Sequence, residues 1–173
     1  MQKSFALFAI VLTMASLAIS QEKRPSPAAS ASCKFSDGKS IKTDYSSPRA
    51  KGRKIYGELV PYGQVWRLGA NEATTFVTDT NLTAGGQSVP AGSYTLFAVP
   101  AQDKWTLVIS KKTGEWGVPY PDGQDFVRID MNASKLPSMM ENFTISYDAK
   151  GGSCVLNADW ENTRASIEFT EKK

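Results

Sequence analysis

Acid–base and binding chemistry in this chain must come from carboxylates, guanidinium groups and aromatic rings, because its 173 residues include no histidine. That absence removes Ser-His-Asp and Cys-His catalysis and every histidine-ligated metal or haem site. Two cysteines are too few for a four-sulfur zinc or iron–sulfur centre. No nucleophile or metal motif takes their place, so the chain leans away from an enzyme, and neither a cofactor nor a metal is expected. The first candidate set is Arg67 with Asn71 and Glu72. A planar guanidinium fork beside an amide and a carboxylate suits a carboxylate, a phosphate or sugar hydroxyls. The plainer alternative is that Arg67 pairs with Glu72 to brace a loop while Asn71 caps a turn.

The second set is aromatic. Trp116 and Tyr120 lie in the run Trp116-Gly-Val-Pro-Tyr-Pro-Asp-Gly123 and, with Tyr62, could form a platform on which sugar rings or peptide side chains stack. Otherwise Trp116 folds back as a lid on the end of the sheet. The third set is cationic: Arg49, Lys51, Arg53 and Lys54 fall within six residues, receptive to an anionic glycan or phosphate, or serving only as a solvated loop. Carboxylates complete the inventory. Glu58, Glu72, Glu115, Asp122 and Asp125 lie on or beside irregular stretches, and a glycosidase needs two such groups roughly 5 to 9 Å apart. A calcium site built on Asp122 and Asp125 lacks enough ligands.

The elements that must position these groups are strands. Ser40 to Tyr45 alternates, as do Phe143-Ile145-Tyr147, Cys154-Leu156-Ala158-Trp160 and Ala165-Ile167-Phe169, each predicting one dry and one wetter face. Asn157 and Asp159 fall on the wetter side. Tyr94 to Val99 and Trp105 to Ile109 are apolar or β-branched on both faces, which predicts central strands covered on both sides. Turn residues punctuate the chain at Asp37-Gly38, Gly85-Gly86, Pro100 to Asp103, Asp122-Gly123 and Gly151-Gly152. Only Asn132 to Glu141 is expected to hold a helical turn, limited by Pro137. The expected fold is all-β: a single antiparallel β-sandwich, jelly-roll-like or Greek-key, of about nine to eleven strands.

Residues 46 to 75 break the alternation and concentrate Gly, Pro, aromatic and charged residues. A long connection of this kind in a compact domain is often functional. Val65, Arg67 and Gly69 are expected on one face of a short strand there, with Trp66, Leu68 and Ala70 on the other. In this stretch and around it the chain resembles the bacterial domain-of-unknown-function 2911 family. The matching pieces are Arg24-Pro-Ser-Pro-Ala28, Asp44-Tyr-Ser46 with Pro48, Lys51-Gly-Arg-Lys-Ile-Tyr-Gly57, and Leu59-Val-Pro-Tyr-Gly-Gln-Val-Trp-Arg-Leu-Gly-Ala-Asn-Glu-Ala-Thr74. Pro90-Ala-Gly-Ser-Tyr-Thr-Leu-Phe97, Trp105-Thr-Leu-Val-Ile109 and Trp116-Gly117 extend the likeness along the rest of the chain. The resemblance implies an exported protein and carries no catalytic residues with it.

Export is also read from the residues. Met1-Gln2-Lys3, the apolar run Phe5 to Leu17 and the small residues before Gln21 form a leader over 1–20. An extended lead-in is expected over 21–32, and the sandwich over 33–173. The run is too short for a stable membrane span, so no anchor is expected once the leader is removed, and the location is periplasmic or secreted. In an oxidising compartment Cys33 and Cys154 are expected to pair; the alternative is two small buried hydrophobes on unconnected strands. A net charge of +3 with 21% charged residues excludes a polyelectrolyte and gives no support to nucleic-acid binding. The expected function is an exported, non-catalytic binding module for a glycan, a peptide or a small anion, taking Tyr62, Arg67, Asn71, Glu72, Trp116, Tyr120, Arg49 and Arg53 as its contacts. The alternatives are a structural or assembly protein of the cell envelope and a carboxylate-dependent hydrolase.

Overall fold

The computed structural model describes residues 24–172; the leader expected over 1–20 lies outside them. Nine antiparallel strands form a single hydrogen-bonded sheet. They are β1 (Ala28–Lys34), β2 (Ser40–Ser46), β3 (Thr74–Thr78), β4 (Leu82–Ala84), β5 (Gln87–Val89), β6 (Gly92–Val99), β7 (Lys104–Ser110), β8 (Asp125–Lys150) and β9 (Ser153–Glu171). Their order across the sheet is β1-β2-β3-β6-β7-β8-β9-β4-β5. The all-β, antiparallel expectation therefore holds, with its strands in one sheet and not in two separately bonded ones.

That sheet bends back so that its first strands meet the long β8–β9 hairpin. Thr43 and Tyr147 share a hydrogen bond of 2.6 Å, the Ile145 amide donates to the Tyr45 hydroxyl at 2.9 Å, and Phe76 meets Phe169 with ring centroids 5.2 Å apart. None of these pairs lies on neighbouring strands of the sheet. Cys33 and Cys154 are disulfide-bonded, with Cα atoms 6.1 Å apart, tying β1 to β9. The alternative of two unconnected buried hydrophobes is thereby overturned: residues 121 positions apart are brought face to face by the bend. Between the layers lies a core with Ile41, Phe76, Leu156, Ala158 and Phe169 fully excluded from solvent; each of these side chains except Ala158 is worth roughly 1.5–3 kcal/mol of transfer free energy.

Three sequence expectations are corrected. Asn132 to Glu141 is not a helical turn but part of β8. The hairpin pairs Lys135 with Thr163 and next Met140 with Glu161, leaving 136–139 out of register. Pro137 therefore sits where no ladder N–H is needed, and a bulge absorbs it. β1 begins at Ala28, inside the expected lead-in, because Ala29 and Ala31 turn inward with Cys33 while the whole strand pairs with β2. Asn157 and Asp159 are buried despite their place on the wetter face of β9. Asn157 donates to Asp148 at 2.8 Å, and Asp159 accepts two bonds from Arg164 at 2.6 and 2.8 Å, which supplies the partners a buried polar group requires.

β6 and β7 are central, and both their faces are covered. On one side Leu96, Leu107 and Ile109 join the main core; on the other Phe97 and Val108 form a second cluster with Ala73, Val65 and Tyr120. That second cover comes from the segment between β2 and β3 and from the β7–β8 connection.

The interior tyrosines make the fold sensitive to alkali. Burial pushes the hydroxyls of Tyr45, Tyr56 and Tyr147 above the ordinary tyrosine range; for Tyr56, whose hydroxyl has no hydrogen-bond partner among the described residues, nearby Glu161 and Asp159 add to the effect. Tyr120 is pushed up to about 12 by burial and by Asp125. The unfolded tyrosines ionise near pH 10 while the folded ones stay neutral, so this stability is intact below about pH 10 and is lost as pH rises toward 12 and beyond. Absorbance of tyrosinate followed alongside circular dichroism should show these residues ionising only as the fold is lost. Their ionisation near pH 10 with full retention of structure would contradict the assignment.

Candidate functional site

Residues 47 to 73 contain no strand, only isolated bridges. The expectation of an irregular insert holds, while the short strand expected around Val65 to Ala70 is reduced to one residue. β3 pairs with β6 only as far as Leu96. Trp66 takes the next position, exchanging two hydrogen bonds of 2.8 Å with Ala98. The chain then turns away through Leu68, whose φ of +50° is left-handed although its side chain is fully buried. A left-handed non-glycine residue costs roughly 1–2 kcal/mol, which Leu68 offsets by that burial and by its carbonyl accepting the Thr74 hydroxyl at 2.7 Å. Lys51 and Asn71 are left-handed as well, so of the four non-glycine residues with positive φ among the described residues three lie in this insert. Such a concentration of local strain is a pointer to function.

The insert is sewn to its surroundings by backbone bonds. Ala50 donates to Glu141 and Phe143 donates to Pro48, which fixes one end against β8; Ala70 donates to Ser46 and Ala73 to Glu115 at the other. Beneath it lies an aromatic cluster. Trp66 stacks on Trp160 at 5.9 Å and meets Phe143 at 5.1 Å edge-on, while Tyr56 packs against Trp105 at 4.8 Å. The Trp66 indole N–H donates to the Gly69 carbonyl at 3.1 Å, so the ring is held in place.

Above that cluster the insert and the 115–123 loop leave an open cleft of about 390 Å³. Its lining includes Leu59, Val60, Pro61, Trp66 and Val118, with two cations, Arg53 and Arg67, and no carboxylate. Neither arginine has an acidic partner among the described residues. Arg53 is oriented by backbone carbonyls, donating through Nε to Ala50 at 3.0 Å and through Nη2 to Arg49 at 2.7 Å. The Arg67 guanidinium lies 5.6 Å from the centroid of the Trp116 ring and donates to the Trp116 carbonyl at 3.4 Å. Partial burial lowers the Arg67 pKa from its ordinary value, with the charge of Glu72 opposing that effect.

The loop can approach this closely because of Gly117. With φ at +78°, its missing Cβ would stand 2.9 Å from Ala73 Cβ and 3.2 Å from Arg67 Cβ. Only glycine lets the loop lie down here without pushing Arg67 aside.

The sequence candidates separate into two groups. Arg53, Arg67 and Trp116 come together at the cleft, the first two lining it and Trp116 lying within cation–π distance of Arg67. Asn71 and Glu72 hold the lead-in instead: Asn71 donates to the Ser26 carbonyl at 3.0 Å, and Glu72 pairs with Arg24 at 2.9 Å. Glu72's salt-bridge partner is thus Arg24 and not Arg67, and Ser26 becomes part of the cleft wall. Arg49 donates to the carbonyl and hydroxyl of Ser47. Tyr62 is exposed and stands over Gly57, outside the cleft lining. Tyr120 packs edge-on against Phe97 at 5.0 Å and donates a short hydrogen bond to Asp125, so it anchors the loop.

The candidate carboxylates stand outside the cleft. Glu58 pairs with Lys54, Glu72 with Arg24, Glu115 with Lys112 and Asp125 with Arg128, and none of the five lines the cleft. Sequence reasoning missed Leu59, Gln64 and Val118. The available signal was an apolar residue in a Gly/Pro-rich stretch with no strand to bury it: Leu59 and Val118 are among the few large hydrophobic side chains left exposed, at 44% and 63%.

A family model described as protein of unknown function, DUF2911, matches residues 26–169. No curated protein and no solved structure matches the chain.

Proposed function

The chain belongs to the DUF2911 family of proteins of unknown function, and from that premise we propose that it is an exported, non-catalytic binding module whose cleft between the 47–73 insert and the 115–123 loop receives an anionic ligand. One observation carries the reading: two guanidinium groups without acidic partners among the described residues face one open cleft that has no carboxylate in its lining. A cation with no carboxylate in salt-bridge contact, on the wall of a partly apolar concavity, is poised to accept one from a ligand. The rim supports the same reading. Leu59 and Val118 are exposed on the cleft, and Trp116, 53% exposed, lies within cation–π distance of Arg67, whereas exposed apolar residues on an inert surface lie scattered.

The disulfide supports export to an oxidising compartment, the periplasm or the exterior. The hydrolase alternative has less to stand on, since each acid that could serve it is outside the cleft and all but Asp122 are bonded to a cation. An envelope-assembly role would use the same apolar rim, but a concave cationic cleft fits a small ligand better than a flat protein face.

The test is a thermal-shift screen of the protein against glucuronate, N-acetylmuramate, N-acetyl-L-phenylalanine and inorganic phosphate. At least one anion is expected to raise the melting temperature, and Arg67→Ala should abolish that rise while the unliganded variant still unfolds cooperatively, its melting temperature lowered by no more than about 5 °C because Arg67 is half-buried. Absence of any shift, or a shift indifferent to Arg67→Ala, would remove the cleft as a binding site.

A further inference from the structure

Resting on the anion-binding reading above, we infer that the ligand is an apolar carboxylate: a carboxyl group carried on an aromatic or branched aliphatic body, either a free acid or the C-terminal residue of a peptide. The argument is the balance of the cleft's chemistry. A neutral glycan presents hydroxyl groups all round its rings and is held by several amide and carboxylate side chains; apart from the two arginines, this lining offers only the polar side chains Ser26 and Gln64. Most of the remaining wall is hydrophobic, with Leu59 and Val118 on the rim and Trp66 and Trp160 at the base. An anion bound there must bring apolar surface with it, or that wall stays wet.

Both cations line the same cleft and each is held by neighbouring groups. Arg53 spends Nε and Nη2 on the carbonyls of Ala50 and Arg49, which fixes the plane of its guanidinium and leaves Nη1 free. Arg67 uses one N–H on the Trp116 carbonyl and lies 5.6 Å from the indole centroid, and its Nε and Nη2 have no hydrogen-bond partner among the described residues. Groups held this way lose little further freedom when a ligand arrives. Planar carboxylate oxygens match such edges. The volume of about 390 Å³ lies at the low end of the roughly 300–1,000 Å³ typical of small-molecule sites, enough for one amino-acid-sized apolar acid and too little for an extended polymer.

Titration calorimetry on the disulfide-bonded protein separates the possibilities with four probes: N-acetyl-L-phenylalanine, its primary amide, N-acetyl-D-glucosamine and inorganic phosphate. The acid should bind roughly tenfold to a hundredfold more tightly than the amide, the range expected for charge-assisted hydrogen bonds, and Arg67→Ala should remove the difference. A C-terminal Phe tripeptide and its amide then distinguish the free-acid source from the peptide source. Equal affinity for acid and amide would overturn the inference. Binding of phosphate or the sugar without the acid would overturn the ligand class and leave the module reading intact, whereas silence from these probes together with glucuronate and N-acetylmuramate would end both.

Discussion

Replacing Cys33 and Cys154 together by alanine is expected to destabilise the protein by about 3–5 kcal/mol and to lower its melting temperature by about 10 °C. The bridge closes a loop with a sequence separation of 121 residues, and both cysteines are buried. In the chain-entropy account, the unfolded ensemble loses most when the loop closed is long. The bridge also joins strands that share no hydrogen-bond ladder, β1 at one edge of the sheet and β9 within the hairpin, so no neighbouring ladder replaces it. A local consequence follows. β1 continues from the lead-in whose Ser26 forms part of the cleft wall and whose Arg24 pairs with Glu72. Loss of the bridge should therefore raise hydrogen exchange in residues 24–34 and weaken anion binding at temperatures where the remaining fold persists. Thermal melts with and without reductant check the first effect. Variants melting within about 2 °C of the parent protein would show that the bridge adds little beyond the packing around it.

Trp66→Ala is the substitution expected to couple stability to binding most strongly. Truncating a packed aromatic typically costs about 3–5 kcal/mol. Trp66, partly buried, belongs at the lower end, since part of its ring faces the cleft. The variant removes the stacked contact with Trp160, the edge contacts with Phe143, Trp105 and Tyr56, and the hydrogen bond to Gly69. The backbone bonds to Ala98 do not involve the side chain and remain, while the left-handed turn at Leu68 two residues later loses the indole anchored to Gly69 beside it. Trp66→Phe separates these contributions: it keeps a ring over the cluster, gives up the N–H donor and should cost about 1–2 kcal/mol. Denaturant unfolding gives the energies, and calorimetry with N-acetyl-L-phenylalanine gives the loss of binding. A Trp66→Ala protein within about 1 kcal/mol of the parent would mean the insert is held by its backbone bonds alone, and that the aromatic base of the cleft is dispensable.

Much of this architecture is legible along the chain because a strand records its own facing. Ile41, Thr43 and Tyr45 are buried as their alternation predicts, and so are Ala165, Ile167 and Phe169. β6 and β7, apolar on both sides, are indeed central. The absence of histidine and the pair of cysteines bounded the chemistry before any fold was known. In each case the information is local: it concerns what a residue is and which way its neighbours point.

Partners, by contrast, were decided only by tertiary structure. Glu72 could have paired with Arg67 five positions earlier, but the antiparallel pairing of β1 with β2 and of β2 with β3 brings Arg24, 48 residues away, to its carboxylate, and Arg67 lines the cleft. Asn157 and Asp159 look solvent-bound in the alternation of β9 and are buried because Asp148 and Arg164 arrive from β8 and from beyond a bulge. Pro137 argued against a long strand until the register shift gave it a place without a ladder bond. Side-chain facing follows from backbone periodicity over two residues. The identity of the facing side chain depends on closing loops of tens of residues, and nothing in a local pattern specifies which loops close.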